Sequence, residues 1–344
     1  MKYATLGNTG LVVSRMCFGA MTFTAGSKWT PGTNTVDQEL ANEMVAACIE
    51  NGVNFFDTAN VYAAGESETL LGNALRSRRK DVVIATKCGM RTRKQITEGG
   101  LSRRNILMSV DASLERLGTD WIDVYIAHTY DKLTPLEETL RAFDDIVRAG
   151  KVRYLGFSNW PAWKVSAAME IQKANGLAPF THGQMYYSLL GRDVETEIVP
   201  MMRQYGLGLT AWSPLAGGML SGKYTRDPQS KSAGRLATFD HLPIDPEYAF
   251  AVVDKVREIA GARNCSVAQI SFAWLLAKQV VSSVVIGATK ITQLRDNLAA
   301  ADVGLTPEDI MSLDDLTNPK ETYPYGLRLD MPDGIIRRAI GTDS

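Results

Sequence analysis

The chain has 344 residues, with 37 Lys and Arg against 38 Asp and Glu, 3 His and 4 Cys. A formal net charge of −1 supplies no basic field for nucleic acid or an anionic membrane surface, and so few histidines leave little for a multi-histidine metal site. The length admits two modest domains or one large α/β barrel, and 45% hydrophobic with 22% charged residues suits a globular protein with a sizeable core.

In chain order, Lys2–Leu6 and Leu11–Val13 flank Gly7-Asn8-Thr9-Gly10, which predicts a small hairpin. A strand over Ser14–Gly19 precedes a helix over Gln38–Asn51, where Leu40, Met44, Val45 and Ile49 recur at helical spacing. Strand Phe55–Thr58 leads to helix Glu66–Arg76, and strand Val82–Lys87 to helix Ser102–Leu117. That helix opens on a Ser cap and carries Ile106, Val110, Leu114 and Leu117 on one face. Strands Ile122–His128, Tyr154–Ser158 and His182–Tyr187 alternate with helices Pro135–Ala149, Pro161–Ala174 and Val194–Tyr205. Strand Gly208–Ser213 follows, then helices Asp245–Arg263 and Ser266–Lys278, then strand Ser283–Gly287. Thr225–Pro246 breaks this rhythm and reads as a long functional loop. Beyond Leu305 one more short helix is expected, then an irregular stretch with Tyr323, Pro324, Tyr325 and Arg328.

Nearly continuous apolar strands alternating with helices predict a parallel sheet covered by helices. Eight such units predict the α/β class as a (β/α)8 TIM barrel, with an N-terminal β-hairpin and an extra C-terminal helix and loop, forming a single domain over 1–344. The N-terminus lacks the apolar run of a signal peptide, and Val280–Ala288 falls short of a bilayer span. Cys17, Cys48, Cys88 and Cys265 form no C-x-x-C pair and read as reduced thiols. The expectation is a cytoplasmic protein with no nucleic-acid or membrane partner and no metal; a homo-oligomer is left open.

Two nucleotide motifs fail in context. Gly206-Leu-Gly-Leu-Thr-Ala211 matches a dinucleotide fingerprint, but a helix precedes it and a strand follows, the reverse of what that fingerprint requires. Gly217-Gly-Met-Leu-Ser-Gly222-Lys223 nearly matches a phosphate-binding P-loop, but Tyr224 replaces its Ser/Thr. A Gly-rich loop ending in Lys after a barrel strand still offers backbone N–H groups and a cation to phosphates.

Barrel active sites sit at the C-terminal ends of the strands. There the sequence delivers Asp57, Lys87 and His128, with Tyr62 a few residues past Asp57. Singly each has an ordinary structural role; their placement at three successive strand ends points to chemistry. These types suit carbonyl reduction. A Tyr hydroxyl serves as the acid, a neighbouring Lys ammonium stabilises the phenolate, a carboxylate fixes that Lys, and a His bonds the substrate oxygen as charge develops.

Asn51-Gly-Val-Asn-Phe-Phe-Asp-Thr-Ala-Asn-Val-Tyr62, followed by Gly65-Glu-Ser-Glu-Thr-Leu-Leu-Gly72, resembles the aldo-keto reductase signature. Thr86-Lys87, His128, Gly156-Phe-Ser-Asn159, Gln184-Met-Tyr-Tyr-Ser-Leu-Leu190, Trp212-Ser-Pro-Leu-Ala-Gly-Gly218 and Ile286-Gly-Ala-Thr-Lys-Ile-Thr-Gln-Leu-Arg-Asp-Asn297 fall where that family has its other motifs. The resemblance runs from Tyr3 to about Leu316 and is nearest the branch holding bacterial and plant reductases and potassium-channel β subunits. It implies an NADPH/NADP+-binding barrel that reduces an aldehyde or ketone, with a tetrad of Asp57, Tyr62, Lys87 and His128. It also implies that Ser158, Asn159 and Gln184 grip the nicotinamide carboxamide and that Trp212 stacks on the ring. Ser213, Leu215, Gly217 and Lys223 would hold the pyrophosphate. Lys290 and Arg235 would meet the 2′-phosphate, and Gly287, Gln293, Asp296 and Asn297 would line the adenosine.

The sequence departs from the family pattern in two places. Met185 and Tyr186 stand where an acidic residue and Tyr more often follow the Gln, and Asp296 stands where Glu is usual. Met21, Trp29 and Tyr130 are candidates for an apolar pocket that receives a small-molecule carbonyl substrate. Two other classes compete with this reading. A cofactor-sensing subunit like the channel proteins is disfavoured by the absence of an extension before the hairpin, and a metal-dependent barrel hydrolase by the lack of ligands.

Overall fold

The computed structural model describes residues 1–24, 26, 36–227, 242, 244–327 and 334–340. Its sheet is a closed barrel of parallel strands in the order β10-β3-β4-β5-β6-β7-β8-β9. These are β3 (Met16–Gly19), β4 (Phe55–Asp57), β5 (Val83–Cys88), β6 (Ile122–Ala127), β7 (Val152–Ser158), β8 (Phe180–Tyr186), β9 (Gly208–Trp212) and β10 (Val281–Ile286). Closure comes from β10, which pairs with β3 on one side and β9 on the other. A helical layer covers it: α1 (Gln38–Glu50), α2 (Glu66–Leu75), α3 (Arg103–Leu117), α4 (Leu136–Arg148), α5 (Ala162–Asn175), α6 (Ile198–Tyr205), α7 (Pro246–Arg263), α8 (Val267–Ala277) and α9 (Ile291–Ala299). The (β/α)8 barrel expected from the strand–helix rhythm is the fold of this chain.

Local chemistry marks the helix ends. Asp37 accepts from Leu40 N, Ser102 from Asn105 N, and Ser266 forms a reciprocal capping box with Gln269. Gly118 closes α3 in the left-handed region.

The hairpin of β1 (Tyr3–Thr5) and β2 (Val12–Ser14) plugs the N-terminal mouth of the barrel. Leu6 and Val13 are fully buried among Cys17, Phe55, Val83, Ala85, Val124 and Ile126, the apolar filling of the barrel. Gly7 fits because it has φ 64° and because a Cβ there would fall 2.3 Å from Thr181 O and 2.8 Å from Gly208 N. With that end sealed, a ligand reaches the barrel interior of the described residues from the C-terminal mouth.

Three details differ from the sequence expectations. The expected strand Ser14–Gly19 is divided at Arg15: Ser14 ends the hairpin, and Arg15 donates to Leu276 O and Val281 O, fastening β3 beside α8 and β10. The expected helix Val194–Tyr205 begins as a 3-10 turn over Asp193–Glu195, and α6 starts at Ile198, which puts Pro200 in a first turn where no N–H is needed. After α10 (Pro307–Leu316) a further helix, α11 (Gly334–Ile340), occupies the tail where an irregular stretch was expected; it is too short for its periodicity to register. Most of the Thr225–Pro246 loop lies outside the described residues.

Candidate active site

Strand alternation builds the site. Phe55, Val83 and Ala85 fill the barrel, so Asp57 on β4 and Lys87 on β5, at even spacing from them, also point inward. Lys87 is fully buried, and its ammonium has three donors to satisfy. It approaches Asp57 Oδ2 at 2.6 Å, Thr58 O at 2.7 Å and the Tyr62 hydroxyl at 3.5 Å. The second Asp57 oxygen accepts from Gln184 Nε2 at 2.8 Å, so the carboxylate is held from two strands. Burial pushes the Lys87 ammonium towards neutrality, but the Asp57 carboxylate and Tyr62 outweigh it and raise its pKa above the ordinary value.

Tyr62 is presented by a strained turn. Ala63 (φ 48°), Ala64 (φ 55°) and Gly65 (φ 101°) are successively left-handed before α2 begins. For the two alanines that conformation costs roughly 1–2 kcal/mol per residue. His128 follows β6, its N–H bonded to Cys88 O. Its ring meets Tyr62 edge-on, with centroids 5.8 Å apart at 84°. Burial, and secondarily the Lys87 charge, hold His128 well below the usual imidazole pKa. It is therefore neutral near pH 7. Among the described residues its buried Nδ1 has no hydrogen-bond partner.

These groups open into a cleft of about 540 Å³. Asp57, Tyr62 and His128 line it together with Ser158, Asn159, Gln184, Trp212, Ser213, Leu215, Gly217, Lys223, Gly287 and Gln293. Lys87 lies beneath, sealed from solvent. Asn159, at φ 58°, donates to Ser158 Oγ at 2.9 Å and accepts from Trp212 Nε1 at 3.0 Å, which locks the indole in place. After β9, Ser213, Ala216, Gly217, Gly218 and Gly222 all take positive φ. Gly217 N donates to Ser213 Oγ, and Lys223 folds back so that its Nζ lies 3.5 Å from where a Gly218 Cβ would sit. A flat aromatic face beside a glycine-rich loop bearing a cation fits a ligand with an aromatic head and an anionic linker.

A family model described as "Aldo/keto reductase family" matches residues 15–318. The chain belongs to the aldo/keto reductase family. Relatives include a "Probable voltage-gated potassium channel subunit beta" of Oryza sativa subsp. japonica, 37% identical and covering 94% of this chain and 100% of that protein. The "Versiconal hemiacetal acetate reductase" of Aspergillus parasiticus is 35% identical, over 94% and 99% of the two chains. The "Uncharacterized oxidoreductase YrpG" of Bacillus subtilis (strain 168) is 36% identical, over 92% and 96%. The protein is thus an oxidoreductase of a family that generally takes a nicotinamide cofactor and acts on small carbonyl compounds. Among the described residues, no cluster of metal-ligating side chains is present and no helix is long and apolar enough to cross a membrane.

Some expected site residues of this aldo/keto reductase lie off the cleft. Lys290 is the exposed residue preceding α9. Asn297 is buried and donates to Gly287 O at 3.1 Å, and so shapes the strand end. The Asp296 carboxylate accepts from Ser266 Oγ and Gln269 Nε2, both at 2.8 Å, and so clamps the start of α8. Met21 lines the cleft, whereas Tyr130 packs edge-on against Trp160 and Trp163 in the adjoining wall. Arg235 and Trp29 lie outside the described residues. Sequence reasoning missed Val61, Met90, Phe272 and Val285, which supply apolar lining. Nothing local distinguishes them from core residues, because only the closed barrel turns them towards the mouth.

Proposed function

We propose that the protein is an NADPH-dependent reductase of aldehydes or ketones in which Tyr62 is the general acid. The observation that carries this reading is the saturated Lys87 ammonium, whose third donor faces the Tyr62 hydroxyl in a cleft. A nicotinamide cofactor, when bound there, supplies the hydride. Tyr62 gives its proton to the carbonyl oxygen as negative charge develops on it. Lys87 stabilises the phenolate left behind, and Asp57, steadied by Gln184, keeps Lys87 charged and in place. Neutral His128 orients the substrate oxygen by a hydrogen bond.

In this reading Ser158, Asn159, Gln184 and Trp212 hold the nicotinamide end, and Ser213, Leu215, Gly217 and Lys223 hold the pyrophosphate. Gly287, Gln293 and Asn297 border the adenosine, with Asp296 supporting them through its hold on α8. NADPH is preferred over NADH because Lys290 and Arg235 offer cations to a 2′-phosphate. The apolar end of the substrate rests against Met21, Val61 and Met90. The test is NADPH and NADH oxidation, in parallel, with an aromatic aldehyde. Tyr62→Phe is expected to lower kcat by about 10²–10⁴-fold with cofactor affinity retained. Full activity in that variant overturns the assignment of the acid.

The likeness to proteins named as channel β subunits favours a second reading, a regulatory subunit that senses its cofactor. It predicts negligible turnover across carbonyl substrates and copurification with a membrane channel.

A further inference from the structure

We propose that Thr86, Glu68 and Arg116 form a clamp of positioning residues that holds the Tyr62 turn against the Lys87 strand, an inference that rests on the role given to Tyr62 above. Lys87 faces the barrel interior, so Thr86 beside it faces the helical layer, and the same alternation sends Thr58 outwards behind Asp57. Both outward hydroxyls are met by the first turn of α2. Thr86 Oγ1 donates to Glu68 Oε1 at 2.5 Å, and Thr58 Oγ1 pairs with Ser67 Oγ at 2.8 Å. Ser67 Oγ in turn donates to Ala20 O at 2.7 Å. The Glu68 carboxylate is fully buried, and its other oxygen accepts from Arg116 Nε of α3 at 2.7 Å.

Arg116 also touches the turn itself. A Cβ on Gly65 would fall 2.7 Å from Arg116 Cδ and 2.8 Å from its Nε, so the Arg stem lies directly against the left-handed backbone. This matters because Ala63 and Ala64 are the strongest of helix formers. Left unrestrained, α2 would propagate backwards through them and carry Tyr62 away from Lys87. The clamp opposes that relaxation from behind both strands. A buried ion pair between helix and sheet is weak support for stability, since apolar residues of similar volume often serve as well. Its use here is to select one conformation of the turn.

The experiment compares Thr86→Val, Thr86→Ser and Arg116→Met with the unaltered protein. Thr86→Val and Arg116→Met are expected to lower kcat about ten- to hundredfold, as misplacement of a reacting group by about 1 Å does, with KM and cofactor Kd within about twofold. The alkaline limb of kcat should move to higher pH, because the Tyr62 oxygen is then less stabilised by the ammonium. Thr86→Ser, which keeps the hydroxyl, should restore both. Loss of activity without that pH shift, or unchanged kcat in both variants, overturns the clamp. Crystal structures of the variants give a readout independent of turnover: the Tyr62 hydroxyl should lie farther from Lys87 Nζ than in the unaltered protein. An undisplaced Tyr62 sinks the inference even if the unaltered protein reduces no carbonyl, a result that would count separately against the proposed function. Should either variant fail to fold, Arg116→Met combined with Glu68→Gln decides, because the amide leaves no buried carboxylate without its cation and can still accept from the Thr86 hydroxyl while the Arg contact with the turn is lost.

Discussion

Asp57→Asn tests the centre of the site. In the folded protein the Lys87 ammonium bonds to Asp57, Thr58 O and the Tyr62 hydroxyl with no access to water. Asn keeps the shape and deletes the charge, leaving a buried cation with only neutral acceptors. Removing one member of a buried ion pair costs about 3–5 kcal/mol. With only neutral acceptors left, burial lowers the Lys87 pKa below its ordinary value. In the unaltered protein this pKa is raised above the unfolded one, so its contribution to stability is complete below about pH 10 and is lost as pH rises through the folded value. In Asp57→Asn the order is reversed. The unfolded chain then binds the extra proton, and the variant regains stability as pH rises towards about 10. Urea unfolding followed by tryptophan fluorescence at about pH 7 and 9.5 reads this. The variant's midpoint should lie well below that of the unaltered protein at neutral pH, with a narrower gap at the higher pH. Adding Lys87→Met should recover part of the loss by removing the stranded charge. Equal midpoints at neutral pH, or a double variant weaker than Asp57→Asn alone, refute the reasoning.

Two further expectations concern the barrel interior. His182 on β8 is fully buried, with both ring nitrogens unpaired among the described residues, and burial followed by the Lys87 charge pushes its pKa to about 3. Between that value and the unfolded one near ~6.5 the unfolded chain binds more protons, so stability falls by up to roughly 4–5 kcal/mol as pH drops through this window. His182→Gln should flatten that part of the pH–stability curve; an unchanged slope shows that another group sets it. Gly156→Ala places a Cβ 2.3 Å from His182 Cε1 and 2.7 Å from Nδ1, and overpacking of this kind costs about 1–3 kcal/mol. Combining it with His182→Ala should recover most of the loss, and simple additivity of the two would exclude the contact as its cause.

Local pattern determined much of this protein. Apolar strands, helical periodicity, caps and eight βα units are short-range features, and they specified the barrel and the strands whose C-terminal ends deliver Asp57, Lys87 and His128. Register then required those inward positions to share one mouth. The sequence could not reach what depends on chain segments far apart. Gln184 lies 127 positions from the Asp57 carboxylate it steadies, and Arg116 48 from Glu68, so no local signal pairs them. Gly65 reads as an ordinary turn glycine until Arg116 is seen lying on it. Asp296 looked like a ligand contact by its place in a motif, yet its oxygens are taken by Ser266 and Gln269, a commitment only the packing of α8 against α9 reveals. The sealed end follows the same logic, since Leu6 and Val13 look like any hairpin residues until the closed barrel gives them an interior to fill. A net charge of −1 is likewise compatible with phosphate recognition because the fold turns the Lys223 side chain back over one glycine-rich loop.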